Sequence, residues 1–325
     1  MTIPYGLPAD VVIRDVGPRD GLQPEAPVAV ADRVRLVEAL VAAGVTRIEV
    51  AAFVSPKAVP AMAGAAEVVA AVPPADGLIR AALVPNERGA ELALAAGVDE
   101  LTVTISASAA YSLRNVKMSP DESEQVISAI VELTASHPGR AGGIPIDAVV
   151  SCAFGSPYEG EIDPGEVAAR CARLRERGVS ALTLADTTGM ATPRRIHEVL
   201  DAVEDLRLDA ADIGLHLHDT RGTALVNAYA ALGRGVRRFD TAVGGLGGSP
   251  FAHGAGGNLA TEELVAMLDD LDVRTGIDVA GLVAAAALLE ELVGRPVPSR
   301  VAHHGPRTAV AGPGADQASE GAGGS

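Results

Sequence analysis

Short apolar runs alternate along the chain with longer amphipathic segments. The runs are rich in Val, Ile and Leu, as buried strands are, while the segments between them space their apolar residues as a helix does. Gly44 follows the first such helix, where a helix commonly ends. The strands are predicted at residues 11–14, 46–50, 78–84, 100–105, 145–150, 181–184, 213–217 and 239–243. The helices that follow them are predicted at residues 32–43, 59–72, 87–96, 120–136, 164–177, 193–206, 223–234 and 259–271.

Eight strand–helix pairs in succession predict an α/β fold in which a parallel sheet closes into a (β/α)8 TIM barrel. The alternative is an open, doubly wound sheet. It is disfavoured because no GxGxxG motif follows the first strand and because eight units exceed the usual six. An extra amphipathic helix at residues 279–292 is expected to pack outside the barrel. We therefore assign residues 1–295 to the barrel domain and residues 296–325, which are rich in Gly, Pro and Ala, to a disordered tail.

Composition narrows the range of partners. The 325 residues are 48% hydrophobic, enough for a large core, and aromatic residues make up only 2%, so the core is expected to consist of small aliphatic side chains. The net charge of −16 opposes nonspecific binding to nucleic acid and to anionic membranes. With two cysteines, no signal peptide and no membrane-spanning run, we expect a reduced, cytoplasmic protein without nucleic-acid or membrane partners.

Polar residues gather at the predicted C-terminal strand ends, where barrel enzymes place their active sites. His216 and His218 are two residues apart at the end of the seventh strand and should point the same way. Asp20 follows the first strand, and Asn258 follows the eighth. One carboxylate, two imidazoles and an amide, with no thiolate, favour Mg²⁺ or Mn²⁺. Taken singly, Asp20 could instead cap a turn, Asn258 could cap the last barrel helix, and the histidines could be ordinary core and loop residues.

Several separate motifs occur in a characteristic order. They are Val16-Gly17-Pro18-Arg19-Asp20-Gly21-Leu22-Gln23, Phe53-Val54-Ser55-Pro56-Lys57, Ser151-Cys152-Ala153-Phe154-Gly155, Pro157-Tyr158-Glu159-Gly160, Gly244-Gly245-Leu246-Gly247-Gly248 and Gly257-Asn258-Leu259-Ala260-Thr261-Glu262. Over residues 11–292 the chain thereby resembles the hydroxymethylglutaryl-CoA lyases, barrel metalloenzymes that act on C–C bonds.

The resemblance implies metal-dependent cleavage of 3-hydroxy-3-methylglutaryl-CoA, or of a related 3-hydroxyacyl-CoA, to acetyl-CoA and acetoacetate. That reaction belongs to leucine degradation and ketone-body formation. The resemblance further implies the following roles: Asp20, His216, His218 and Asn258 as metal ligands, with Asp20 and His216 also catalytic, Arg19 as the essential cation, and Glu49 and Asp186 as supporting carboxylates.

The chain departs from the family pattern at the glycine-rich loop. The lyases usually carry a cysteine there as the proton donor to the enolate, and this chain has Ser249. A serine hydroxyl is a far weaker acid than a thiol, so His253 in the same loop is a candidate relay. Ala26 replaces a lysine that often contacts coenzyme A, and Ala51-Ala52 replaces a more polar pair. Arg114 and Lys117 could contact the coenzyme A phosphates, or they could lie on a solvated loop.

Two other functions remain open from the sequence. One is a metal-dependent aldolase or synthase acting on a 2-oxo acid, and the other is a non-catalytic barrel that binds an acyl-CoA. Dependence on coenzyme A separates the first from a lyase, and steady turnover excludes the second. We also expect a homo-oligomer, specifically a dimer.

Overall fold

Eight parallel strands close into a barrel, and each strand pairs with its neighbours in sequence. The first strand pairs with both the second and the eighth, which completes the closure. The computed structural model describes residues 6–135, 143–248 and 256–307. Within these residues the TIM-barrel prediction is confirmed. The strands are β1 (Val12–Asp15), β2 (Arg47–Ala52), β3 (Ile79–Leu83), β4 (Glu100–Ser106), β5 (Ile146–Ser151), β6 (Ala181–Asp186), β7 (Ile213–Leu217) and β8 (Arg238–Thr241).

Helices cover the outside of the barrel and bury their apolar faces against the strands. Side chains that accept backbone N–H bonds begin several of them: Asn86 caps Glu87–Ala96, Asp163 caps Pro164–Glu176 and Thr192 caps Pro193–Asp205. The predicted extra helix is present at Val279–Val293 and packs on the helices Val30–Ala42 and Thr261–Asp270. The helices are α1 (Val30–Ala42), α2 (Ala65–Ala71), α3 (Glu87–Ala96), α4 (Ala109–Asn115), α5 (Pro120–Ala135), α6 (Pro164–Glu176), α7 (Pro193–Asp205), α8 (Ala224–Leu232), α9 (Thr261–Asp270), α10 (Val279–Val293) and α11 (Arg300–His304).

The second predicted helix is not continuous. A short 3₁₀ turn at Pro60–Met62 is separated from α2 by Gly64, whose φ of +76° lies in the left-handed region. A Cβ at this position would also lie 2.7 Å from the Val30 side chain. Glycine permits both the backbone conformation and the close approach, so the chain breaks here although its apolar spacing continues.

Ordered structure extends beyond the predicted domain boundary at residue 295. The Ser299 side chain accepts a hydrogen bond from the Ala302 N–H at 3.2 Å and begins α11. His303 Nε2 lies 2.9 Å from the carbonyl oxygen of Val297. The prediction of disorder from residue 296 is therefore wrong for residues 296–307, because a cap and local hydrogen bonds fix this segment despite its composition. The rest of the predicted tail, residues 308–325, lies outside the described residues.

Among the described residues, none of the helices combines the length and apolar character needed to cross a bilayer. The apolar core lies between the strands and the surrounding helices, with Leu36 and Leu40 of α1 and Val199 and Leu200 of α7 all fully buried. The barrel interior is different, because charged side chains fill part of it. Arg14, Asp147 and Asp240 are buried there and form ion pairs across the barrel.

Candidate active site

Three of the predicted metal ligands meet at the C-terminal mouth of the barrel. Asp20 lies in a π-helical turn, Gly17–Gly21, directly after β1, while His216 and His218 lie at the end of β7. One ligand atom from each of these residues lies within 4.8 Å of the other two. Both imidazoles are buried, and the Asp20 side chain is 14% exposed. The three side chains thus form a site in which a single cation could contact all of them.

The hydrogen bonds of the two imidazoles favour a cation between them. His216 Nδ1 lies 3.3 Å from Oδ2 of Asp240, and His218 Nδ1 lies 3.0 Å from the carbonyl oxygen of Gly256. Both partners can only accept, so each Nδ1 donates and each neutral ring keeps its lone pair on Nε2. The two Nε2 atoms are 3.1 Å apart. Lone pairs that face each other need either a shared proton or a metal ion, and the residues present therefore fit a divalent metal.

Asn258, the fourth predicted ligand, lies next to two of these residues. It joins His218 through an isolated antiparallel bridge, and its Nδ2 donates to Asp20 Oδ2 at 2.8 Å and to the Leu246 carbonyl at 2.9 Å. Its Oδ1 is buried and has no hydrogen-bond partner among the described residues. A buried amide oxygen without a hydrogen-bond partner is a ligand that a hard cation accepts. Asn258 does not cap the last barrel helix, since the residue before α9 is Ala260.

Burial and neighbouring charges set the protonation of the ligands. Burial alone would raise the pKa of Asp20, but Arg19 and the imidazoles outweigh it and lower the pKa to about 2. Burial and the charge of His216 lower the pKa of His218 to about 4. For His216 burial acts in the same direction, yet the hydrogen bond to Asp240 and the charge of Asp20 prevail and raise its pKa. The ionised Asp20 and the neutral His218 are in the state that metal binding requires, and a bound metal would displace the proton that His216 holds more readily.

Arg19 is fixed at the wall of the site by two carboxylates. Its Nε donates to Oε2 of Glu49 on β2, and its Nη1 donates to Oδ1 of Asp20. Glu49 is fully buried, and its Oε1 has no hydrogen-bond partner among the described residues. The guanidinium is thereby held rigidly with one edge on Asp20, where it can face charge that develops on a bound substrate.

Asp186 contacts the backbone rather than the triad of Asp20, His216 and His218. At the end of β6 its Oδ1 accepts the N–H groups of Met190 at 2.7 Å and Ala191 at 2.9 Å, which shapes the loop after the strand. Burial raises its pKa to about 6. The structure therefore places this predicted site carboxylate next to the mouth, where it supports a loop.

The glycine-rich loop after β8 approaches the site closely. Gly247 has a φ of +111°, and a Cβ there would collide with Nδ2 of Asn258. Only glycine allows the loop to pass so near the amide. Ser249 and His253, the predicted proton donor and its relay, lie outside the described residues.

A cavity of about 950 Å³ opens beside the triad. Its lining includes the charged and polar side chains of Arg19, Asp20, His216 and His218. The cavity thus has room for a small-molecule ligand that contacts these side chains. Elsewhere it is lined by mostly apolar side chains from the strand ends and from the α4–α5 region, among them Leu83, Tyr111, Val116, Met118, Val126, Val149 and Ala185.

The two predicted contacts to coenzyme A lie near this cavity but do not line it. Arg114 is in α4, a helix that the sequence analysis did not predict, and its guanidinium carbon stands 4.1 Å from the centre of the Tyr158 ring. Lys117 donates to the carbonyl oxygen of Arg114 at 3.0 Å. Asn115 and Val116, between them, do line the cavity. Both cations are exposed.

Two charged residues near the site were missed by the sequence analysis. Asp240 on β8 contacts His216, and Arg14 on β1 donates to Asp240 through Nε at 2.8 Å and Nη2 at 2.7 Å. A signal was present in the sequence, since each is a charged residue inside a predicted buried strand. Buried charges of this kind are rare unless they are paired.

The chain is a parallel barrel that carries an aspartate, two histidines and an arginine at its C-terminal mouth. This arrangement is typical of barrel enzymes whose chemistry a divalent metal can assist. The model of the HMGL-like family matches residues 10–289. A 3-hydroxy-3-isohexenylglutaryl-CoA/hydroxymethylglutaryl-CoA lyase of Pseudomonas aeruginosa is 42% identical, and the match covers 91% of this chain and 97% of that protein. The chain belongs to the HMGL-like family and is a carbon–carbon lyase of the hydroxymethylglutaryl-CoA lyase type.

Two further relatives extend the comparison. An (R)-citramalyl-CoA lyase of Chloroflexus aurantiacus is 41% identical over 91% of this chain and 95% of its own. The structure of a hydroxymethylglutaryl-CoA lyase from Acinetobacter baumannii in complex with coenzyme A and 3-methylmalate superposes with a TM-score of 0.88 at 37% identity, covering 96% of this chain and 99% of that one. The family resemblance seen in the motifs is thereby confirmed.

Proposed function

We propose that this protein cleaves 3-hydroxy-3-methylglutaryl-CoA, or a closely related 3-hydroxyacyl-CoA, to acetyl-CoA and acetoacetate or its analogue. The observation that carries the proposal is the convergence of the Asp20 carboxylate with the facing Nε2 atoms of His216 and His218, next to Arg19 and Asn258, which both donate to Asp20. This set can bind a β-hydroxy thioester at its oxygen atoms and receive the charge that its cleavage creates.

Asp20, His216, His218 and Asn258 would hold a divalent ion, which would lower the pKa of the substrate hydroxyl and polarise the adjoining carbonyl oxygen. We propose Mg²⁺ or Mn²⁺, because the donors are two oxygens and two imidazole nitrogens without a thiolate. The ionised Asp20 and the Nδ1 donation by both rings prepare the donors before any ion binds.

We assign the proton of the C3 hydroxyl to the ionised carboxylate of Asp20. Once this proton has been transferred, the bond between C2 and C3 of the substrate breaks. The electron pair of this bond passes to C2 and forms the enolate of the acetyl thioester, while C3 becomes a ketone. Arg19 keeps its positive charge at neutral pH and can stabilise the enolate oxygen. Glu49 and Asp20 fix the guanidinium from two sides, so little reorganisation is needed during the reaction.

The enolate then takes a proton at C2 to give acetyl-CoA. We assign this step to Ser249 with His253 as its relay. The two cysteines do not offer an alternative, because Cys152 and Cys171 are both buried and neither lines the cavity. Asp186 would act indirectly, through the loop that it holds after β6.

Arg114 and Lys117 are proposed to contact the phosphates of coenzyme A. Support comes from their exposure near the cavity and from their charge on a chain that is otherwise acidic. The double variant Arg114→Ala with Lys117→Ala should raise KM for the acyl-CoA and leave kcat nearly unchanged. A fall confined to kcat would contradict this assignment.

The substrate test uses a panel of 3-hydroxyacyl-CoA thioesters with Mg²⁺ or Mn²⁺ and detection of products by mass spectrometry. The panel includes 3-hydroxy-3-methylglutaryl-CoA, a longer-branched 3-alkyl homologue and citramalyl-CoA, since relatives named for such substrates match this chain. Acetyl-CoA released from the first compound supports the proposal. Cleavage of a free 2-oxo acid aldol without coenzyme A would favour an aldolase, and the absence of turnover on every compound would favour a binding protein. The predicted dimer stays a prediction that sedimentation analysis can check.

A further inference from the structure

A buried carboxylate connects the proposed metal site to an arginine in the barrel interior. Oδ2 of Asp240 lies 3.3 Å from His216 Nδ1 and 2.7 Å from Nη2 of Arg14, while its Oδ1 accepts Arg14 Nε at 2.8 Å. All three side chains are buried. The guanidinium therefore holds the carboxylate in one orientation through two parallel hydrogen bonds, and the carboxylate in turn contacts the imidazole.

Asp240 is not needed to neutralise Arg14. The same guanidinium pairs with Asp147 Oδ2 at 2.7 Å and with Glu100 Oε1 at 3.2 Å, and Arg47 also contacts Glu100. Two arginines thus face three carboxylates in this cluster. Of these carboxylates, only Asp240 contacts a residue of the proposed metal site.

The contact determines which nitrogen of His216 is available. A carboxylate only accepts, so Nδ1 of His216 carries the hydrogen and Nε2 presents its lone pair toward Asp20 and His218. Without this partner, the neutral ring could carry its hydrogen on Nε2 instead. Nε2 would then have no lone pair with which to bind a cation.

We propose that Asp240, held by Arg14, is a positioning residue that sets the tautomer and orientation of His216 for divalent-metal binding. The inference rests on the proposed function, since it requires a metal at Asp20, His216 and His218. It assigns no contact with substrate to Asp240. Its effect should appear in metal affinity measured without substrate.

The test compares two isosteric variants of the full-length protein, Asp240→Asn and Asp147→Asn. Mn²⁺ binding is measured by electron paramagnetic resonance without substrate, and the free energy of unfolding of each metal-free protein is measured in urea. Both variants remove one carboxylate from Arg14, but only the first removes the partner of His216. We expect Asp240→Asn to weaken Mn²⁺ binding about 10–100-fold and Asp147→Asn to change it less than about 3-fold. An equal loss in both variants, or no loss in Asp240→Asn, would overturn the proposal.

A measurement on the wild-type protein covers the case in which Asp240→Asn does not fold. Nitrogen-15 NMR of the Mg²⁺-loaded protein with labelled histidine reports which ring nitrogen of His216 carries hydrogen. We expect it on Nδ1, and hydrogen on Nε2 would overturn the inference. If these results hold but the Mn²⁺-loaded enzyme turns over no thioester of the substrate panel, the proposed function fails and the positioning role stands. If wild-type protein binds neither ion, both fail.

Discussion

The Nε2 atoms of His216 and His218 face each other at 3.1 Å, and each ring donates through Nδ1 to a different part of the chain. The acceptor for His218 is the Gly256 carbonyl, which comes from the segment that also supplies Asn258. The same backbone segment therefore positions two of the proposed ligands.

The first prediction concerns the loss of one imidazole. His218→Ala should weaken Mn²⁺ binding by at least about 100-fold, since loss of a hydrogen-bonding partner of a ligand alone costs up to that much. The fold should remain intact, because residues at the C-terminal strand ends serve the site more than the barrel core. Calorimetric titration and circular dichroism test the two parts. His197→Ala, on the exposed face of α7, is the matched control and should bind Mn²⁺ as the wild type does. Unchanged Mn²⁺ affinity in His218→Ala would show that His218 is not a metal ligand.

The second prediction concerns Arg19. Because its guanidinium is proposed to stabilise charge that appears only as the C–C bond breaks, Arg19→Gln should lower kcat about 10²–10³-fold with little change in KM. Steady-state kinetics at saturating metal measure both constants. Arg19→Lys keeps the charge but loses the fork that contacts Glu49 and Asp20, so it should recover only part of the activity. A defect confined to KM would make Arg19 a residue that only binds substrate.

The barrel and the position of its mouth could be predicted because both depend on local patterns. Each apolar run became a strand within a few residues of its predicted bounds, and the strand ends placed Asp20 and the histidines on one side. The errors came from features that periodicity does not contain. Gly64 interrupts an apolar helical pattern through its backbone conformation, and α4 is a short helix, capped by Ser108, in a stretch where the apolar spacing predicts no helix.

Long-range contacts in the site could not be predicted. The Arg14–Asp240 pair joins residues 226 positions apart, and the Asn258–Asp20 hydrogen bond joins residues 238 positions apart. These pairs depend on the register in which β1 meets β8 when the barrel closes. A charged residue within a strand indicates that a partner is needed, but nothing in the local sequence says which strand provides it.

The third prediction uses Glu262, a buried residue of α9 whose Oε1 accepts the Gly244 N–H at 3.0 Å. Burial raises its pKa from 4.5 to about 7. Between these two pH values the folded state keeps a proton that the unfolded state loses. The stability that protonated Glu262 contributes is therefore fully present below about pH 4.5 and is lost as the pH rises to about 7. Glu262→Gln retains an acceptor without titrating. Over that pH interval its free energy of unfolding should fall by about 3 kcal/mol less than that of the wild type.

Urea unfolding of wild type and Glu262→Gln at both ends of that pH range tests this expectation. The variant's free energy of unfolding should fall less than that of the wild type as the pH increases. Glu87→Gln, at an exposed position in the first turn of α3, should follow the wild-type curve. Parallel curves for wild type and Glu262→Gln would show that Glu262 does not take up the proton.

The last prediction concerns the proton that completes the reaction. A serine hydroxyl is a far weaker acid than the thiol that the related lyases usually carry, so protonation of the enolate should limit turnover of 3-hydroxy-3-methylglutaryl-CoA. Ser249→Cys should therefore raise kcat on this substrate, and the solvent isotope effect on kcat should become smaller in the variant.

His253 provides the second arm of this test. If it relays the proton to Ser249, His253→Ala should lower the kcat of the wild type more than that of Ser249→Cys, because a thiol depends less on a relay. The four proteins form a double-mutant cycle, and the interaction between the two positions is read from their kcat values. Should Ser249→Cys be neutral or harmful while His253→Ala changes nothing, the loop does not deliver the proton. A different native substrate would then be the better explanation for serine at this position.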